Sequence, residues 1–233
     1  MYSQSSTTDT YNYLLNGRWH SGTTPDTMGQ LEIEHYIIDK SNMTSKSNVL
    51  DFGCGNGVTT CDYSILTGAT VHGTTNEPSQ IRNAQKLARK LQLKVNFELC
   101  SNILPYKDNM FDIIVFTESL CHIENKAAIF NEFKRVLAPD GIVCGEDWTH
   151  LVPLNESAQA INRAYHTHMV SPRKYQDLIF KAGMKSKIVD IIKPEWDQSL
   201  MSSVSNQLRL SYYQFVYPLL RLSCPYKVNT NNI

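Results

Sequence analysis

Apolar positions in this chain alternate between short continuous runs and stretches with a helical period. NVLDF (48–52), TVHGT (70–74), FDIIVFT (111–117), GIVCGED (141–147) and SKIVDII (186–192) are the runs, and KVNFEL (94–99) alternates as a half-buried strand does. A continuous apolar run of this length predicts a strand covered on both faces. Between the runs lie helical patterns at 30–40, 59–66, 77–91, 125–137 and 171–183. Several carry their own end signals. Pro78 falls in a first turn whose helix ends in basic residues, Ser171-Pro172 is a cap followed by a first helical proline, and Gly183 marks a stop. APDG after Leu137 reads as another stop. Strands alternating with helices predict βαβ units and an α/β, doubly wound, mainly parallel sheet with helices on both faces. Residues 150–169 hold no clear strand. The Ser- and Gln-rich stretch after Glu195 leads to an aromatic segment, YYQFVYPLLRL, which suits either a helix or a last antiparallel strand.

Composition narrows the classes. A chain of 233 residues suits a single domain with a core large enough to need no staples. Twenty-two basic residues balance 22 acidic ones, which leaves no electrostatic footprint for nucleic acid. Six cysteines are scattered without CxxC spacing, several inside apolar runs, so they read as reduced buried thiols of a cytoplasmic protein. The segment MYSQSSTTDT lacks the basic and apolar regions of a signal peptide. No stretch reaches the ~18 apolar residues of a membrane span.

The densest chemical signal is VLDFGCGNG at 49–57, an apolar run, an acid and three glycines in five positions. In a doubly wound sheet, ligands bind at the carboxyl ends of the strands. Glycines there let the backbone turn tightly and approach a ligand, and the amides opening the next helix suit an anionic group. A nicotinamide oxidoreductase would place an acid at the end of the second strand for the ribose hydroxyls. Here that strand ends HGTTNEPSQ, and the acid precedes the glycines, which favours a smaller nucleoside ligand.

VLDFGCGNG resembles the first motif of the class I S-adenosylmethionine-dependent methyltransferases. VHGTTNEPSQIRNAQKLA, ILPYKDNMFDIIVFTESLCHI and FNEFKRVLAPDGIVCGED resemble, in order and with family spacing, segments of the small-molecule subgroup acting on sterols, mycolic-acid precursors, phosphoethanolamine and terpenoids. The resemblance implies a Rossmann-like fold of the seven-stranded type. It also implies an N-terminal helical lid (1–46), a cofactor-binding core (47–147), and an acceptor-side part with a helical insertion after the fifth strand (148–233), all in one domain. It implies S-adenosylmethionine as cofactor, with Asp51 near the methionine amino end and Gly53, Cys54 and Gly55 around the methionine and ribose. Thr75 falls where most relatives carry the ribose-binding acid, flanked by Thr74 and Asn76, with Gln80 compensating. Cys100 replaces a common adenine-binding aspartate, with Ser101 and Asn102 beside it, and Thr117 lines the methionine side. A small-molecule methyl acceptor is the expected partner, and self-association into a homo-oligomer is compatible with the aromatic tail. Some relatives on this fold use the cofactor only structurally, in a cyclisation.

Transfer from a sulfonium needs alignment and exclusion of water more than a catalytic triad. Glu118 and His122, four apart beyond the fourth strand, are the candidate catalytic residues, as base or as stabiliser of developing positive charge. The expected acceptor wall comprises these two with Trp148 after the fifth strand and the lid aromatics Tyr13 and Trp19. An apolar or partly apolar acceptor fits those aromatics. His150, His166 and His168 lack the carboxylate spacing of a metal site, and no metal is expected.

Overall fold

The computed structural model describes residues 27–101, 103–150, 159, 162–163, 166–190 and 208–216. Its elements, in chain order, are α1 (Thr27–Ser41), β1 (Asn48–Phe52), α2 (Val58–Thr67), β2 (Thr70–Thr75), α3 (Pro78–Lys90), β3 (Asn96–Leu99), β4 (Phe111–Thr117), a 3-10 turn (Leu120–His122), α4 (Lys126–Val136), β5 (Leu137–His150), α5 (Pro172–Lys181), β6 (Lys185–Asp190) and β7 (Leu208–Val216).

The strands form a sheet in the order β3-β2-β1-β4-β5-β7-β6. The five from β3 to β5 run parallel, and β7 lies antiparallel between β5 and β6. Strand order reverses between β1 and β4, so the loop after β1 opens at the switch point where this class of sheet binds its ligands.

Local chemistry explains most of the boundaries. The Glu77 side chain caps α3 by accepting from Ser79 N, Asn125 caps α4 through Ala128 N, and Ser171 caps α5 through Lys174 N. Gly57 and Gly68, both at positive φ, bracket α2.

Alternation along the strands sorts two cores. Leu50, Phe52, Ile114, Phe116 and Val143 pack under α4 and α5 with Phe130, Phe133, Tyr175 and Ile179. Val49, Val71, Ile113, Val115 and Cys144 pack under α1 and α2 with Ile33, Ile37 and Tyr63. Burying each of the large side chains contributes roughly 1.5–3 kcal/mol, so packing rather than propensity decides these helices.

Three expectations change. The helix predicted to run to Leu137 ends at Val136, because Leu137 already adopts extended backbone at φ −77, ψ 130. The stop predicted at APDG belongs instead to β5. There Phe111 pairs with Leu137 and Ile113 with Ile142, so five residues of β5 advance against two of β4, and Asp140 takes φ 66 within the irregularity. The aromatic segment resolves as a strand: β7 pairs residue by residue with β5 from Leu208 opposite His150 to Val216 opposite Ile142. Residues 159, 162 and 163 are helical. Of the expected lid (1–46), residues 27–46 form α1 and the loop after it, while residues 1–26, with Tyr13 and Trp19, lie outside the described residues, as do Asn102 and residues 151–158, 160–161 and 164–165 of the expected insertion.

Candidate functional site

The loop after β1 is built by three glycines at positive φ, Gly53 at 79°, Gly55 at 53° and Gly57 at 78°. Two of them have structural reasons to be glycine. A Cβ on Gly53 would lie 2.3 Å from the Cβ of Ser119, and one on Gly57 would lie 2.6 Å from Ala84 Cβ and 2.7 Å from the Phe97 ring. Gly57 thus lets α2 start hard against α3 and β3, as expected from the sequence. At Gly53 the protein group nearest to that Cβ position is Ser119, whose hydroxyl donates to Phe52 O at 2.8 Å. The turn after β4 is thereby fastened to the turn after β1. The N–H groups of Gly53 and Cys54 both donate to Thr74 O at 2.8 Å, which fixes the loop to the end of β2 as well.

Asp51 is fully buried on the α1/α2 face and accepts a 2.6 Å hydrogen bond from Thr60 Oγ1 on α2. Thr60 was not singled out in the sequence. Its position nine residues on, one turn into the following helix, was the signal available.

At the end of β2, Thr75 Oγ1 donates to Gln80 Oε1 at 2.5 Å, and both residues are buried. The two residues expected to share ribose contacts are therefore brought together. Asn76 is exposed, and Glu77 is engaged as the helix cap. Thr74 is 1% exposed, and its hydroxyl has no hydrogen-bond partner. Cys100 is buried with its thiol turned to the carbonyls of Ser101 at 3.3 Å and Ile103 at 3.2 Å, so it braces its own loop; Ser101 is exposed. Burial raises the Cys100 thiol to about 11, and Glu132 adds to the rise, which keeps it protonated and donating.

The second half of the site is the turn after β4. Glu118 adopts φ 45, a left-handed backbone that costs a non-glycine residue roughly 1–3 kcal/mol. Several bonds hold it there. Glu118 N donates to Glu146 O at 2.9 Å, Cys121 Sγ to Glu118 O at 3.4 Å, and Cys121 N to Asp147 Oδ2 at 2.7 Å. Asp147, fully buried, accepts from Trp148 N with its other oxygen at 2.7 Å. Lys126, 3% exposed, donates to Ile123 O and His168 O, both at 2.6 Å, and His168 N donates to Cys121 O at 2.6 Å. His122 Nδ1 lies 3.4 Å from His166 O. Residues 166–168 are thus laced onto the 118–122 turn.

The electrostatics follow from burial. Desolvation raises Asp147 to about 7, partly offset by the hydrogen bonds from Cys121 and Trp148 and by Lys126. Burial also lowers Lys126, with Asp147 opposing. His122 is held below its ordinary value by the packing around it, then by Lys126, His168 and His166, although much of the residue faces solvent. Glu146 is fully buried, with desolvation, Glu118 and Asp147 all raising it. Trp148 is half-buried at the end of the same strand. Glu146, Asp147 and Lys126 carry more of this region than the sequence pattern indicated.

Among the described residues, no group of three His, Cys, Asp or Glu side chains is arranged to hold a metal ion. None of their helices is long and apolar enough to cross a membrane. Cys54, Cys61, Cys100, Cys121 and Cys144 are free and buried, as expected.

The glycine loop at the switch point, the buried acid before it and the turn that closes on it form the constellation that family comparison can test. A family model described as a methyltransferase domain matches residues 43–201. The chain belongs to this methyltransferase domain family. The matched span begins just before β1 and includes both halves of the site. A sterol 24-C-methyltransferase of Pneumocystis carinii (strain B80) is 31% identical over 127 residues, 53% of this chain and 34% of that protein. The chain therefore spans about a third of that relative's length.

Solved structures of methyltransferases share the fold. Haemonchus contortus phosphoethanolamine N-methyltransferase 2 in complex with S-adenosyl-L-methionine superposes with a TM-score of 0.79 at 15% identity, covering 91% of this chain and 57% of that one. The geranyl diphosphate C-methyltransferase of Streptomyces coelicolor A3(2), in complex with Mg2+, geranyl diphosphate and S-adenosyl-L-homocysteine, gives a TM-score of 0.74 at 16% identity, covering 81% of each chain.

Proposed function

We propose that this methyltransferase domain transfers a methyl group from S-adenosylmethionine to a small, partly apolar molecule. The observation that carries the reading is the loop from Asp51 to Gly57, set at the switch point and closed by the Glu118–His122 turn. Membership of the methyltransferase domain family and the cofactor-bound neighbours of the same fold support it. The residues present fit a nucleoside with a charged amino-acid arm. The first turn of α2 offers backbone amides, and the ends of the neighbouring strands carry buried polar atoms that the protein leaves without partners, the Thr74 hydroxyl and the Glu146 carboxyl.

When bound, the cofactor supplies a methyl group already activated on a cationic sulfur. The chain's own residues bind and align. Asp51, Gly53, Cys54 and Gly55 cradle the methionine and ribose, Thr74, Thr75, Asn76 and Gln80 hold the ribose side, and Cys100, Ser101 and Asn102 flank the adenine. Thr117 lines the methionine side. The acceptor sits over Glu118, His122 and Trp148, with Tyr13 and Trp19 closing from the lid. Alignment of nucleophile, methyl and sulfur in a dry site is the main catalytic contribution. His122, held in its neutral form by its surroundings, is suited to take a proton from the acceptor. The domain is proposed to act as one unit across residues 1–233.

The test is product analysis. The protein is incubated with labelled S-adenosylmethionine and a panel of amine, hydroxyl and alkene acceptors. The reading predicts labelled product and S-adenosylhomocysteine in equal amounts. A product formed with no S-adenosylhomocysteine would replace it with cofactor-assisted cyclisation.

A further inference from the structure

We propose that Glu146 is the countercharge to the sulfonium of the methyl donor, and that its carboxyl lets the site tell the charged donor from the neutral thioether left after transfer. The proposal rests on the cofactor reading above and adds a binding residue to it.

Position comes first. Glu146 pairs with Thr117 across β4–β5, and Phe116 pairs with Phe52 across β1–β4, so Gly53, Thr117 and Glu146 fall at one level over three adjacent strands. Strand alternation puts Glu146 on the same face as Cys144, Val115 and Asp51, the face covered by α1 and α2. This is the level and the face at which the loop after β1 opens.

Its surroundings come next. Glu146 is 0% exposed, and neither carboxylate oxygen has a hydrogen-bond partner. A buried carboxyl in that condition is costly unless it is neutral or meets a cation. The charged and titratable groups around it, among the described residues, supply none. Glu118 lies in the turn after β4, and Asp147 is its neighbour on β5. Tyr63 of α2 draws together Glu146, Asp51 of β1, Glu34 of α1 and Cys144 of β5. Lys126, the buried amine of this region, belongs to the opposite face. It stands against Asp147, whose side chain alternates away from Glu146, and it is engaged by Ile123 O and His168 O. The groups that act electrostatically on Glu146 and on Tyr63 beside it, among the described residues, are acids, a phenol and a thiol, and a positive charge is the partner that would suit the carboxylate.

The consequence is a proton count. Burial and its acidic neighbours keep Glu146 protonated in the free protein. Arrival of the sulfonium favours the carboxylate, and the proton leaves to solvent. In transfer the carbon–sulfur bond breaks with its electron pair staying on sulfur, while an electron pair of the acceptor, a lone pair or an alkene π pair, forms the new bond to carbon and the acceptor takes up the positive charge. The positive charge leaves the sulfur, Glu146 takes a proton back from solvent, and the neutral thioether is held less tightly.

Calorimetry at pH 7 with S-adenosylmethionine and S-adenosylhomocysteine, in two buffers of different ionisation enthalpy, tests this without an acceptor. Wild type is expected to release about one more proton on binding the donor than on binding the product. Glu146→Gln is expected to lose that excess and to bind the donor about tenfold more weakly, with product affinity unchanged. Equal weakening for both ligands, or no change for either, would overturn the proposal. If the variant does not fold, the wild-type proton counts decide, and equal counts overturn it. Wild type binding neither ligand would refute the cofactor reading itself, and this proposal with it.

Discussion

Thr60 and Gly57 show how closely the glycine loop is fitted. Asp51 lies in the sheet with its Oδ2 held by the Thr60 hydroxyl at 2.6 Å. Thr60→Val keeps the shape but removes that donor, and we expect a stability loss of about 1–3 kcal/mol in urea unfolding, most of it recovered in Thr60→Ser. Gly57→Ala combines a backbone at φ 78 with a Cβ directed into Ala84 and Phe97. The same unfolding measurement should show a loss of roughly 1–3 kcal/mol, with the far-ultraviolet spectrum retained. At this scale the sequence revealed that glycine was required but not always why. Three glycines in five positions announce a special backbone. That Ser119, 66 residues further on, is what crowds Gly53 is a tertiary fact with no local signature. Cys100 is similar: no local pattern indicated that its thiol braces the carbonyls of its own loop.

Among the elements, those with strong periodic patterns were legible and those fixed by pairing were not. FDIIVFT is β4 residue for residue, because a strand buried between two neighbours must be apolar throughout. The helices α3 and α5 carry prolines and caps where their sequences place them. The start of β5 was missed because its first residues pair irregularly with β4, which a helix-stop pattern conceals. β7 was undecided because an aromatic run fits helix or strand until its partner is known. The 118–122 turn depends on Asp147 and Lys126 in the same way. Lys126→Met should free the carbonyls of Ile123 and His168, and hydrogen exchange should speed up in residues 166–170 before the rest of the domain. Asp147 gives a pH prediction whose sign differs from the usual carboxylate. Its folded value, about 7, lies above the ordinary 3.8, so the folded state binds more protons than the unfolded state between these values. Its contribution to stability is therefore full below about pH 4 and declines until about pH 7. Urea unfolding across that range should show a shallower decline for Asp147→Asn than for wild type.

Over the whole molecule, the switch-point sheet is what turns scattered residues into a site. β1 and β4 lie side by side because the order reverses there, and β5 beside them brings Glu146 level with Thr117 and the glycine loop. The parallel α/β class was legible because alternating strands and helices leave few other ways to cover a sheet. The family was legible because four motifs kept their order and spacing. The acceptor was not, since the proposed acceptor-side residues Glu118, His122 and Trp148 come from separate elements and no single motif encodes them together. The central claim is that the Asp51–Gly57 loop holds the nucleoside. Titration calorimetry of S-adenosylhomocysteine against wild type and Gly55→Val tests it most directly, with circular dichroism confirming that both are folded. We predict saturable binding to wild type and a loss of about tenfold or more in the variant, ~1.4 kcal/mol at the least; equal affinity of the two folded proteins would contradict the account.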